Sequence, residues 1–200
     1  MPDASLPANS LAECYLYLKV TPCSICRSGA TEPGEPVVDH AGRDVRITVS
    51  CGNCGGSVQY RFTTDAVNSP VDPLSAPGPI NTTSKPSQLI DIAQWVTLHG
   101  LLREMANASP DRQEARWLAH RAAQCLDEAL RFYPDGEELP PADAFYADSS
   151  RQAFREHPER FARERLLAMR GRLPAVGVEE RVFSRVSSKG RPWWKFWTSK

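Results

Sequence analysis

The sequence predicts an α+β protein, a small three-stranded antiparallel sheet followed by a separate helical unit made of a helix hairpin plus one or two further helices. Three observations carry this prediction. Alternating strand-like runs and two Cys-x-x-Cys turns crowd into the first third of the chain, a proline-rich stretch follows, and beyond it apolar residues recur every three or four positions. These shifts divide the chain into a sheet segment at residues 1–66, a linker at 67–87, a helical unit at 88–173 and a basic aromatic tail at 174–200.

The strands rest on alternation. Residues 14–20, Cys-Tyr-Leu-Tyr-Leu-Lys-Val, are aromatic and aliphatic with partial alternation and read as the first strand. Residues 44–50 put Val45, Ile47 and Val49 on one face, and residues 57–62 do the same with Val58, Tyr60 and Phe62. Between them lies Cys51-Gly52-Asn53-Cys54-Gly55-Gly56, a glycine-rich turn that makes the two runs a hairpin. Residues 67–87 hold five prolines and no aromatic residue. Proline neither donates to a ladder nor continues a helix, so this stretch reads as a semi-extended linker.

The period then becomes helical. Residues 88–106 set Leu89, Ile92, Trp95, Val96, Leu98, Leu102 and Met105 along one broad stripe. Ser109-Pro110-Asp111 offers an N-cap, a first-turn proline and a first-turn acid. The helix it opens carries Ala115, Leu118, Ala122, Cys125, Ala129 and Phe132 until Pro134-Asp135-Gly136 stops it. A short capped turn between two such helices predicts an antiparallel hairpin. Further on, Ser150 is placed to cap residues 151–157, and Pro158 to open a helix that runs to Arg170 and closes at Gly171. Phe154, Phe161, Leu166 and Met169 would then face inward.

The chemistry concentrates in four cysteines. Cys23-Ser24-Ile25-Cys26 and Cys51-Gly52-Asn53-Cys54 are separated by 24 residues. Each turn aims two thiolates at one point while its backbone N–H groups reach the sulfurs, and two such turns close a four-sulfur shell suited to zinc. On these residues the segment 11–65 resembles the zinc-ribbon family. The resemblance implies a three-stranded antiparallel sheet with one Zn2+ held between two knuckles by Cys23, Cys26, Cys51 and Cys54. The second knuckle, followed by Gly55-Gly56, fits the family pattern. The first departs from it, with Arg27-Ser28 where many ribbons place glycine at once. A rubredoxin-like iron site and a redox dithiol use similar cysteine spacing and stand as the alternatives. Four protein ligands leave no open coordination position, so the zinc reads as structural. Cys14 and Cys125 fall in apolar stripes and read as buried small residues.

Nothing in the sequence proposes a reaction. The four histidines are scattered, and no phosphate loop or G-x-S-x-G motif occurs. His99 and His120 fall on successive helices, close enough to approach each other, and read as surface or boundary residues. Glu137, Glu138, Glu179 and Glu180 read as solvated acids.

With 24 basic and 24 acidic residues the formal net charge is zero. The balance hides a split: residues 1–150 hold eleven basic and nineteen acidic residues, and residues 151–200 hold thirteen and five. The tail ends in Trp193, Trp194, Phe196 and Trp197 among Arg191 and Lys195, a set suited to self-packing, to self-association or to a partner. No run is apolar enough to span a membrane, and the N-terminus lacks the basic and apolar regions of a secretory signal, so a cytoplasmic location is expected. The whole reads as a non-enzymatic zinc-binding adapter that contacts a protein partner. Nucleic-acid binding and peripheral attachment to an anionic membrane surface are the alternatives.

Overall fold

The computed structural model describes residues 5–39, 43–64, 79–81 and 83–173. They form two compact units, one on each side of residue 82. The architecture is α+β, a small open sheet of four strands followed by several helices. The tail residues Arg191, Trp193, Trp194, Lys195, Phe196 and Trp197 lie outside the described residues, as do Glu179, Glu180 and most of the 67–87 segment.

In the first unit the order is β1 (Leu6–Ala8), α1 (Leu11–Val20), β2 (Thr31–Val38), β3 (Asp44–Cys51) and β4 (Ser57–Thr64). The sheet order is β1-β4-β3-β2, antiparallel except that β1 runs parallel to β4. The expected β3–β4 hairpin forms in register, with Val45 opposite Phe62, Ile47 opposite Tyr60 and Val49 opposite Val58. Val45, Ile47, Val49 and Phe62 are buried, whereas Arg46, Thr48, Gln59 and Arg61 between them are exposed. Only one face of the sheet is covered, which is why both strands alternate so cleanly.

The segment read as the first strand is instead the helix α1. Ser10 caps it, its hydroxyl accepting the Glu13 N–H at 3.1 Å and donating to the Ile80 carbonyl at 2.5 Å. Glu13 reaches back to the Asn9 N–H at 2.5 Å, so Ser10-Leu11-Ala12-Glu13 closes much as a capping box does. Leu11, Cys14, Tyr15, Leu16 and Leu18 are all buried. A helix covered on nearly every side carries no polar stripe, so no helical period marks it. Tyr17 of α1 stands edge-on to Tyr60 and Phe62, at 6.3 and 6.1 Å between ring centres, and the Tyr15 hydroxyl donates to Gly34 O at 3.0 Å.

The three-stranded expectation also missed β2 and β1. The β2 sequence Thr-Glu-Pro-Gly-Glu-Pro-Val-Val has two prolines and a glycine, which argue against a strand. It sits at the sheet edge with a register shift between Pro33 and Pro36, where a missing N–H costs no ladder bond.

The second unit holds α2 (Ile92–Ala108), α3 (Arg112–Leu130), α4 (Asp148–Glu156) and α5 (Arg163–Arg170). Short 3-10 turns at Ala142–Ala144 and Pro158–Phe161 precede the last two. The helix hairpin is present: α2 and α3 pack along their lengths, burying Ile92, Trp95, Leu98 and Leu102 against Leu118, Ala122, Cys125 and Ala129. Several boundaries differ from expectation, each because another group takes the cap. The first helix starts at Ile92 rather than residue 88, because Asp91 makes a full capping box with Gln94 while Ser87 holds Leu89 and Ile90 in a turn. Asp111, not Ser109, caps α3 by accepting the Gln113 N–H at 2.8 Å, and Ser109 ends α2. Ser150 caps nothing, since α4 begins at Asp148 after Ala147. The expected helix from Pro158 breaks at Ala162 into a 3-10 turn and α5, which Gly171 closes as expected. Phe161 and Leu166 are buried, and Phe154 and Met169 are half-buried.

Asp91 joins this unit together. It is fully buried; one carboxylate oxygen caps α2 and the other accepts the backbone N–H groups of Tyr146 at 3.1 Å and Ala147 at 3.2 Å. Replacing Asp91 by Ala removes a cap and strands two further donors. Urea unfolding of the Asp91→Ala protein should show a loss of about 2–4 kcal/mol; a loss below about 0.5 kcal/mol, the range of ordinary surface changes, would contradict this role.

Candidate metal centre

The two Cys-x-x-Cys turns come from different kinds of junction. The first links α1 to β2 and the second is the tip of the β3–β4 hairpin. Their backbones nevertheless repeat one pattern. Cys23 N–H donates to Ser28 O and Arg27 N–H returns to Cys23 O, both at 2.8 Å. Cys51 N–H donates to Gly56 O at 2.8 Å and Gly55 N–H returns to Cys51 O at 2.9 Å. Each knuckle is therefore a short hydrogen-bonded loop that turns two thiols the same way.

The four sulfurs converge. Cys23 Sγ lies 3.8 Å from Cys54 Sγ, Cys26 Sγ lies 3.6 Å from Cys51 Sγ, and all four are within 4.8 Å of one another. A disulfide needs sulfurs about 2.05 Å apart, and all four cysteines are free thiols. A tetrahedron of sulfurs around an ion with metal–sulfur distances of about 2.3 Å has edges of about 3.8 Å. The donor set and its spacing fit such an ion.

The surroundings favour thiolates at one knuckle. The backbone N–H groups of Cys26 and Ile25 hold the Cys23 thiol below its ordinary range. The Asn53 side-chain amide, 3.5 Å from Cys26 Sγ, and the Ser28 N–H bring Cys26 down to about 6. At Cys54 the Gly56 N–H pulls the same way, but the crowding of Cys26, burial and the other two sulfurs outweigh it and push that thiol up to about 11. Sulfurs packed this closely cannot all be charged unless a cation joins them. Beside the cluster the crevice lined by Leu18, Thr31, Val49 and Cys51 has a volume of only 10 Å³, room for about one water.

Sequence reasoning missed Asn53 as a sulfur partner, although its place inside the second Cys-x-x-Cys was visible. It marked Arg27 only as a departure from glycine. Arg27 in fact takes the left-handed conformation, φ +62°, just as Gly55 does at φ +69° in the other knuckle. The arginine adopts the backbone that glycine would adopt at no steric cost.

Other candidate residues remain apart from chemistry. Cys14 and Cys125 are buried, and burial pushes both thiols far above their usual range. His99 and His120 are buried within the helix hairpin rather than at its surface, 2% and 6% exposed. His99 Nδ1 donates to Ala122 O at 3.1 Å. Burial holds its ring below the usual histidine range, the Ala122 bond opposes this, and Arg103 adds to it. Glu137 and Glu138 are exposed, as read from the sequence. Among the described residues there is no catalytic triad, no metal-coordinating active-site geometry and no enzyme motif.

The strained knuckle gives a paired test. Nothing lies within 4 Å of a Cβ built on Gly55, so Gly55→Ala meets only the backbone penalty of about 1–2 kcal/mol. Arg27→Gly relieves that penalty and should raise the thermal midpoint, while Arg27→Val should lower it. Thermal unfolding of the three variants checks the signs, and a fall for Arg27→Gly would contradict the left-handed assignment. No family model, no curated protein and no solved structure matches the chain.

Proposed function

We propose that the chain is a non-enzymatic zinc-binding protein in which Cys23, Cys26, Cys51 and Cys54 hold one structural Zn2+ in a ribbon-like module. The convergence of four sulfurs at tetrahedral spacing carries this reading. Zinc bound there would supply cross-linking and charge neutralisation, with all four positions filled by protein and none left for water or substrate. A soft all-thiolate set favours zinc over magnesium or calcium. The water-sized crevice beside the sulfurs supports a structural rather than a catalytic role.

The same reading makes the protein a cytoplasmic adapter. Its layout is a metal-stapled sheet module to residue 66, a linker at 67–87, a helical unit at 88–173 and the tail from 174, with Trp193, Trp194, Phe196 and Trp197 beside Arg191 and Lys195 as the contact for a protein partner. The absence of a reaction centre among the described residues and the aromatic-basic composition of the tail support it. The first 66 residues hold five basic and seven acidic side chains, which disfavours them as a phosphate-backbone reader. No helix among the described residues is long and apolar enough to cross a membrane.

Elemental analysis of the full chain should find one zinc, and Cys51→Ser should lose it. Chelation should also abolish hydrogen-exchange protection of the β3 and β4 amides. Iron in place of zinc, or a metal-free protein with β3–β4 protection intact, overturns the assignment. For the adapter role, the full chain should recover one protein at fixed stoichiometry, and a chain with Trp193, Trp194 and Trp197 changed to Ala should not. Tail-dependent sedimentation with anionic vesicles, or salt-sensitive retention on nucleic acid, would replace it.

A further inference from the structure

We propose that the helical unit carries a second site, independent of the metal centre, that binds a small organic phosphate monoester in the cleft between α2 and the segment 160–169. The cleft is an open surface groove of 390 Å³, along which Arg103, Glu104, Asn107, Arg160 and Arg165 are exposed; its volume lies within the range of about 300–1,000 Å³ typical of small-molecule sites. One wall is a single stripe of α2: Val96, Gly100, Arg103, Glu104 and Asn107 recur at helical spacing. Arg160 from the 3-10 turn, with Arg165 and Met169 from α5, forms the other.

Three arginines from two distant parts of the chain thus line one cleft. None of the three forms an ion pair with a carboxylate among the described residues, a state they share with Arg112, Arg116, Arg155 and Arg163 of the same unit. Against them stands one acid, Glu104, so the cleft presents an excess of two positive charges that matches a phosphate monoester dianion. Guanidinium forks suit phosphate oxygens, which take two parallel N–H bonds from each. Val96 and Met169 offer an apolar surface for the organic part, and Asn107 a neutral hydrogen-bonding group. His99 also lines the cleft; its Nδ1 is committed to Ala122 O, which leaves Nε2 as the ring atom for a ligand.

Gly100 is the independent observation. It sits in the interior of a 17-residue helix, where glycine is less favourable than alanine by about 1 kcal/mol. A Cβ there would meet nothing within 4 Å, so neither packing nor a left-handed backbone requires glycine. What glycine does is leave the cleft floor open. A long side chain would occupy that space.

Binding to the full chain is measured by calorimetry with AMP as probe, beside inorganic phosphate and adenosine. AMP should bind one to one, more tightly than either fragment. Arg103→Ala, Arg160→Ala and Arg165→Ala should each weaken AMP by about tenfold or more, as for lost charge-assisted bonds. Arg191→Ala combined with Lys195→Ala should leave binding unchanged. Gly100→Leu should raise the thermal midpoint and abolish binding, which separates a filled cleft from a failed fold. Several results overturn the proposal: no saturable binding up to about 10 mM AMP, a probe concentration at which even millimolar affinity would register; AMP no tighter than inorganic phosphate or adenosine; loss in the tail variant with the cleft variants unaffected; or tighter binding of a phosphoserine peptide, which would make the cleft a protein-docking site. Because the metal ligands are untouched in every variant, zinc content stays at its wild-type value whichever way the result falls.

Discussion

The convergence of four sulfurs is the constraint around which the first unit is organised. It requires the turn after α1 and the tip of the β3–β4 hairpin to arrive at one point, which fixes how β2 can enter the sheet beside β3. The backbone supports this, since both knuckles close the same pair of hydrogen bonds, from the first cysteine's N–H and back to its carbonyl. One residue departs from ease of folding, Arg27 in the left-handed region. That strain is tolerable because the loop is determined from three sides: its two backbone bonds, the cysteine it follows, and the sulfur cluster.

How much of this was legible depends on what each element faces. The hairpin was legible because its sheet is covered on one face only, and Val45, Ile47 and Val49 had to alternate with exposed partners. The four-cysteine cluster was legible because its chemistry is local to two short motifs. The helix α1 was not legible by period, since it is buried nearly all round, and apolar composition alone does not distinguish a buried strand from a buried helix. Its cap, Ser10 followed by Glu13, was the available signal. The edge strand β2 was hidden by Pro33 and Pro36, which disqualify a central strand but suit an edge.

In the helical unit the stripes were legible and their ends were not. Caps compete, and neighbouring polar residues offer equivalent oxygens: Ser109 and Asp111 both stand before α3, and the winner also has to satisfy what lies on its other side. Asp91 shows the point. Its second oxygen serves Tyr146 and Ala147, more than fifty residues away, so the start of α2 is set partly by groups that local sequence does not display. The same holds for the side of α2 that carries Arg103. On α2 alone it reads as a solvated face, and only the fold brings Arg160 and Arg165 opposite it.

The charge split of the chain acquires a finer meaning from these placements. Read as totals, an acidic first part and a basic last part invite the idea of two halves that attract each other. Within the helical unit the sorting is local instead. Arg170 pairs with Asp127 at 2.7 Å and Arg151 with Asp148 at 2.5 Å, so part of the basic excess is neutralised by acids of the same unit. Arg160 and Arg165 have no such partner among the described residues, and with Arg103 they line one cleft. Like charges gathered around a single acid, here Glu104, raise the free energy of the folded state, modestly when exposed and screened, and more as they approach. Together with a helix-interior glycine that packing does not require, the net positive charge of this cleft marks one place where the unit departs from its most stable arrangement, and such departures are where binding is to be sought.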